Sequence, residues 1–364
     1  MSRFALTLAL CATVALTLAA QTTPKTRSTP EQMRAAGYLQ VEAGPNSRTW
    51  HRAGWRTNEA GVLVWHTNKV VELSSGLNKR DVTGRWIEAV PVLSRDQNGN
   101  ILGQGAAHEA RFSHNLNTSG NQASVHIRLP DGGRIKAKII GLAYEDSVSG
   151  TNVLIAEVKD SSPRIDTTNS LVVYPDAFAG LKCNVNYSYT KSGLIQDVIL
   201  KQRPPPPESY GISASNAHLL VLTEMLEAPT PKIKTQWWKS GRETMQNQTA
   251  DFNSMHLALG HGFSQGRSGF ERQGGVAVAK QMGAADGRQW LVERVRYGAV
   301  AGELRKLPAA SGTATNASAN KVSRWFARGT LPPVETRQAA MVCVATAVMV
   351  PTYFLVRPVV LPST

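Results

Sequence analysis

From Tyr38 to about Gln202 the chain alternates short runs of β-branched and aromatic residues with polar turn residues, the pattern of short, half-buried strands. Val62–His66 and Lys69–Leu73 flank Thr67 and Asn68 as the arms of a hairpin would. Trp86–Leu93 precedes Asn98-Gly99, a pair suited to a turn in which both residues need positive φ. Ser124–Leu129 faces Arg134–Tyr144 across Pro130-Asp131-Gly132-Gly133, the clearest hairpin in the chain. Val153–Val158, Ser170–Tyr174, Lys182–Tyr189 and Leu194–Lys201 continue the series, the last two joined through Lys191-Ser192-Gly193. Closely spaced strands with no helical periodicity between them predict a mainly β fold, an antiparallel sandwich or barrel-like module over 38–203.

Helical signals are confined to two places. Thr29, Pro30 and Gln32 have the spacing of a capping box with proline at the first helical position, and Gly37 ends the short helix this predicts over 30–36. Near the other end, Val300, Leu304 and Leu307 recur at helical spacing after Tyr297, and Pro308 stops the pattern. Pro204–Pro207 is a stiff segment that can neither join a ladder nor continue a helix, so it marks a boundary. Beyond it, strands at Leu219–Met225, Gly275–Ala279 and Gln289–Val295 with the helix predict a smaller α+β module over 208–308. The stretch 230–275 is of mixed polarity and glycine-rich, and yields no periodic pattern.

The small polar residues 309–320 read as a linker, and 321–364 as an atypical apolar tail. Ala339–Val356 is a run of 18 residues without a charge, at the lower limit of a membrane span. Thr346, Pro351 and Thr352 weaken that reading against a final buried strand pair or a loosely ordered tail.

At the amino terminus Arg3 precedes an apolar core, Ala5–Leu18, with small residues at Thr17 and Ala19. This is the layout of a signal peptide over 1–20, cleaved after Ala19 or Ala20, and it predicts a secreted, periplasmic or cell-surface protein. An uncleaved anchor would need a longer apolar run and stronger flanking charge. Removal of the leader leaves Cys183 and Cys343, too few for a disulfide framework and too isolated for a zinc ribbon or a CxxC redox site. One long-range bridge between them stays open.

The formal net charge of +14 favours encounters with anionic surfaces. The cations are scattered, so the pattern fits a basic solvated surface better than a dedicated site. Trp237 and Trp238, set between Lys234 and Lys239, are the best ligand-facing candidates, able to stack on sugars or bases while the lysines meet anionic groups of cell-envelope components or polysaccharide. Export argues against a specific nucleic-acid partner.

Other motifs carry less. Asp96, Asn98 and Asn100 alternate around Gly99 like calcium ligands but lack the later bidentate carboxylate, and they read instead as a hairpin turn. His256 and His261 are five apart, without the four-residue spacing and intervening glutamate of zinc hydrolases. His108, Glu109 and His114 read as solvated or hydrogen-bonded strand residues. Asp146, Glu157, Asp160, Asp176 and Asp197 could pair as glycosidase carboxylates, though carboxylates after strands are usually turn residues. No nucleophile elbow, P-loop or dinucleotide fingerprint appears, and no cofactor or metal is implied.

Several stretches, VELSSGLN at 71–78, PDGGRIKAKIIGLAYED at 130–146, VLIAEVKDS at 153–161 and the long run at 172–212, occur in an order continued by LLVLTEM at 219–225 and WLVERVRYGAVAGELRKLP at 290–308. Together they resemble the amino-terminal region of very large secreted bacterial proteins of the RHS/YD-repeat or laminin-G-like kind. The resemblance implies export and a β-rich module, with no catalytic motif assigned to the region. It lapses after about Pro333, as a truncated or frame-shifted gene would produce. The expected function is a non-enzymatic exported module for assembly, adhesion or presentation of a larger surface protein. A secreted polysaccharide hydrolase and a binder of anionic polymers are the alternatives.

Overall fold

The computed structural model describes residues 29–168, 170–240, 243–265, 272–285, 287–310 and 344–351. The expected signal peptide, nearly all of the linker, Cys343 and most of the apolar tail lie outside them. The chain divides into two units, one of residues up to Val41 with Thr49–Val70, the other of Glu42–Arg48 with Val71 onward.

The first unit opens on α1 (Pro30–Ala35). Its capping box is formed: Thr29 Oγ1 accepts from Gln32 N at 3.2 Å, and Gln32 Oε1 accepts from Thr29 N at 2.8 Å. Gly37 follows at φ 80°, as a helix-ending glycine should. The strands β1 (Leu39–Ala43), β2 (Ser47–Thr57) and β3 (Leu63–Leu73) form a three-stranded sheet in that order. Here the expected Thr67-Asn68 hairpin is corrected. β3 runs unbroken through both residues, and the turn lies earlier, where Asn58 accepts from Ala60 and Val62 and Gly61 takes φ 78°. Neither Thr67 nor Asn68 has a glycine beside it to take the positive φ of a tight hairpin turn.

The second unit begins with the pair β4 (Asn78–Arg80) and β5 (Trp86–Glu88). Next come β6 (Val92–Arg95), β7 (Ile101–Gln104), β8 (Glu109–Phe112), β9 (Val125–Arg128), β10 (Arg134–Asp146) and β11 (Asn152–Glu157). The expected strand over 86–93 is two, because Pro91 lacks an N–H to continue the ladder. At the β6–β7 turn only Gly99 has positive φ, 80°; Asn98 does not. Asp96 closes the turn, its Oδ1 accepting from the N–H groups of Asn98 and Asn100, both at 2.9 Å. The hairpin at 130–133 forms between β9 and β10 as expected, with Gly132 at φ 88°.

The chain continues through β12 (Arg164–Asp166), β13 (Leu171–Tyr174), β14 (Cys183–Thr190), β15 (Gly193–Leu200), β16 (Ala217–Glu227), β17 (Lys232–Ser240) and β18 (Glu243–Asp251). β19 (Met255–Leu257), β20 (Gly260–Gln265), β21 (Arg272–Ala285) and β22 (Arg288–Arg296) follow, then α2 (Tyr297–Leu304) and β23 (Val344–Pro351). The stretch 230–275, patternless in sequence, is thus four strands and the start of a fifth. α2 sits where the apolar spacing places it, with Val300 and Leu304 fully buried.

A ten-stranded sheet runs β20-β21-β22-β16-β10-β9-β8-β7-β6, with β11 also paired to β10. An eight-stranded sheet runs β12-β13-β14-β15-β23-β19-β18-β17. Every strand pairing described is antiparallel, the fold is mainly β, and among the described residues no sheet closes on itself into a barrel. One apolar core draws on both large sheets, joining Val125, Ile135 and Leu219 to Tyr174, Val185 and Leu194. The segments on either side of Pro204–Pro207 share a sheet: β16 pairs with β10 along its length, Tyr144 opposite Leu219 and Ala137 opposite Met225. Gly141 on β10 permits β11 to approach, since a Cβ there would stand 2.4 Å from Ala156 O.

Candidate binding surfaces

An antiparallel sheet normally hides one face, but in the first unit the β2–β3 ribbon exposes large apolar side chains. Trp55 is 65% exposed and Trp65 60%, and their rings meet edge to face with centroids 5.3 Å apart. Leu63, Val64 and Val70 on β3 are exposed, as are Leu39 and Val41 on β1. Arg52 lies over the Tyr38 ring at 5.1 Å, and His66 Nε2 is 2.9 Å from Asn68 Oδ1. Successive strand positions alternate between faces, so the tryptophan pair lies on one face of the ribbon and Arg52, His66 and Asn68 on the other. Sequence reasoning passed over it, although the tryptophans on the two arms were a usable signal.

The predicted ligand-facing group falls on β17, the end strand of the eight-stranded sheet. Trp237 is 60% exposed, and Ile233 and Lys234 are exposed with it. β17 pairs with β18 without a register shift, so successive positions alternate between faces. Positions 232, 234 and 236 share one face; 233, 235 and 237 share the other. Lys234 and Trp237 are thereby separated. The side chains of Trp238 and Lys239 lie outside the described residues.

The carboxylates singled out from the sequence do different things. Asp146 Oδ1 accepts from Val148 N at 2.8 Å and closes a turn. Glu157 is exposed at the end of β11, and Asp197 is buried on β15. Asp160 and Asp176 come together with Arg95, Lys159 and Arg164 around an open hollow of about 550 Å³. Asp160 Oδ1 accepts from the amides of Asn115 and Asn117 at 2.9 and 3.0 Å, and these bonds hold its carboxyl below the usual range. A general acid for glycoside cleavage needs the opposite shift.

His256 and His261 stand on β19 and β20, strands of different sheets. Among the described residues no three histidine, cysteine, aspartate or glutamate side chains group as metal ligands. His108 departs from expectation. It is fully buried, neither ring nitrogen has a hydrogen-bond partner, and burial brings its pKa down to about 4. The ring packs against Tyr189, centroids 5.1 Å apart, so it serves as a neutral core aromatic. Glu109 faces solvent instead, 3.5 Å from Arg128.

The ten-stranded sheet also holds charges that apolar pattern reading missed. Lys280 and Glu293 on adjacent strands are wholly buried, 3.6 Å apart, and Lys280 Nζ donates to Ala258 O at 2.7 Å. Burial lowers the lysine to about 8 and raises the glutamate, each against the attraction of the other. Arg294 donates to both oxygens of Glu145 at 2.9 and 3.0 Å, and Arg288 pairs with Glu224. These contacts clamp β10, β16, β21 and β22 together. The signal was the charged pair Glu293-Arg294 set between the apolar residues Trp290–Val292 and Val295.

Compared with family models, with curated proteins and with solved structures, the chain finds no match in any of the three.

Proposed function

We propose that this chain is a non-enzymatic binding and assembly module of an exported cell-envelope or extracellular protein. In this reading the two large sheets face one another as an antiparallel sandwich, and α2 with its neighbouring strands forms the α+β portion. The observation that carries it is the exposed Trp55–Trp65 pair on the β2–β3 ribbon. Apolar surface on this scale is costly to leave in water and suits the docking of a neighbouring domain or an envelope component. The signal-peptide pattern and the resemblance to the amino-terminal region of large secreted proteins support the location.

The test is retention of the purified chain on isolated cell envelope and on immobilised extracellular polysaccharide. Trp55→Ala/Trp65→Ala should bind at least about tenfold more weakly with an unchanged far-ultraviolet spectrum. Turnover on a broad glycan and ester panel, abolished by one substitution such as Asp160→Asn, would defeat the reading and favour the hydrolase built on the Asp160–Asp176 hollow.

A second reading, binding of anionic polysaccharide, is favoured by Lys232 and Lys234, exposed on one face of the end strand β17. Its mark is retention on heparin that falls steeply with salt. Retention indifferent to salt rules it out.

A further inference from the structure

β23 occupies an unusual place for a strand so late in the chain. It is an interior strand of the eight-stranded sheet, antiparallel to both neighbours. On one side Leu194, Ile195, Gln196 and Asp197 of β15 face Met349, Val348, Ala347 and Thr346; on the other, Met255, His256 and Leu257 of β19 face Pro351, Val350 and Met349. In the strand order of the described residues, β12–β15 and β19–β17 are separate blocks joined through β23. Without it, β15 and β19 would each present a row of unpaired backbone N–H and C=O groups across a one-strand gap, the arrangement that draws in a strand from elsewhere.

The segment that fills the gap is suited to it. Residues 344–350, Val-Ala-Thr-Ala-Val-Met-Val, carry no charge and are rich in β-branched side chains. Residues 311–343 separate it from Ala310, and a tether of that length can span roughly 100 Å when extended. Backbone pairing cannot distinguish a strand on its own tether from the identical strand of another copy. Such an element is the usual currency of domain exchange.

We propose that the gap between β15 and β19 is a strand-accepting slot through which copies of this chain join, each giving its 344–351 segment to another. The inference concerns a different sheet from the tryptophan ribbon and requires neither an exported location nor a carbohydrate. On its own chain the strand competes at an effective concentration of about 1 mM, so exchange is favoured where copies are crowded or fold together.

Two single variants of the full chain test this, both with Cys343→Ser: Ile195→Cys, and Val348→Cys, its partner across the β15–β23 ladder. Directly opposed strand residues lie close enough for a disulfide. Neither chain can form this bond alone, so co-refolding followed by mild oxidation should give a disulfide-linked heterodimer whose yield rises with concentration. Ile195→Cys/Val348→Cys in one chain should form the internal bond at low concentration. An internal bond with no heterodimer at any concentration overturns the exchange, and absence of both overturns the slot. Should the variants fail to fold, sedimentation of the parent chain refolded at rising concentration decides: a growing dimer fraction supports the proposal, and monomer throughout sinks it.

Discussion

Replacing Lys280 by methionine removes the cation from a pair in which both side chains are fully buried, and the cost can be built from the contacts. Lys280 Nζ donates to Ala258 O at 2.7 Å and stands 3.6 Å from Glu293 Oε1. Loss of the charge-assisted hydrogen bond costs about 1.5–3 kcal/mol. Glu293 is left buried without its counter-charge, which brings the expected loss to about 3–5 kcal/mol. Glu293→Leu should cost a similar amount by stranding the lysine. The double variant Lys280→Met/Glu293→Leu should return to within about 1 kcal/mol of the parent, because it removes both desolvated charges.

The assay is urea unfolding of the four proteins at pH 7. Single losses under about 1 kcal/mol, or a double loss equal to the sum of the singles, would refute the reasoning. A pH signature accompanies the cycle. Lys280 has its folded pKa depressed from 10.5 to about 8, so between those values the unfolded chain binds more protons and parent stability climbs with pH. That climb should vanish in Lys280→Met. There the raised carboxyl of Glu293 makes the folded state hold a proton that the unfolded chain releases, so stability should fall as pH rises above the ordinary carboxylate range.

Three further outcomes are expected. His108 is held down at about 4 by burial against a free value of 6.5, so its contribution is present above pH 6.5 and lost as pH falls toward 4. His108→Phe, which keeps an aromatic ring against Tyr189, should shrink that acid-side loss by about 3 kcal/mol in urea midpoints taken at pH 4 and 7. Gly76 has φ 64° and would place a Cβ 1.7 Å from Lys191 O, so Gly76→Ala should cost more than about 3 kcal/mol in thermal unfolding. Gly132, at φ 88° with nothing within 4 Å, is the control, and Gly132→Ala should show only the backbone penalty of about 1–2 kcal/mol. Trp55→Ala should cost about 0.5–1.5 kcal/mol through the lost edge-to-face contact, seen as faster amide exchange in β2 and β3.

Local chemistry was legible wherever a few neighbouring residues suffice. Thr29, Pro30 and Gln32 specify their capping box within four positions, and the Pro130–Gly133 turn and the β14–β15 hairpin likewise need only adjacent arms and the residues between them. Asp96 could be read as a turn-former because its partners Asn98 and Asn100 are two and four residues away. Long-range arrangement was not legible. The polyproline segment looks like a break from either side, yet β16 returns to pair with β10, a choice made by which apolar face covers which. β17–β20 are too polar and glycine-rich to announce themselves, and pairing in the sheets stabilises what local propensity does not. Lys280, Glu293, His108 and the opposed faces of Lys234 and Trp237 follow the same division. Residue type states the chemistry a side chain could perform, but burial, charge partner and strand face come from segments far apart in the chain, and only tertiary packing brings those together.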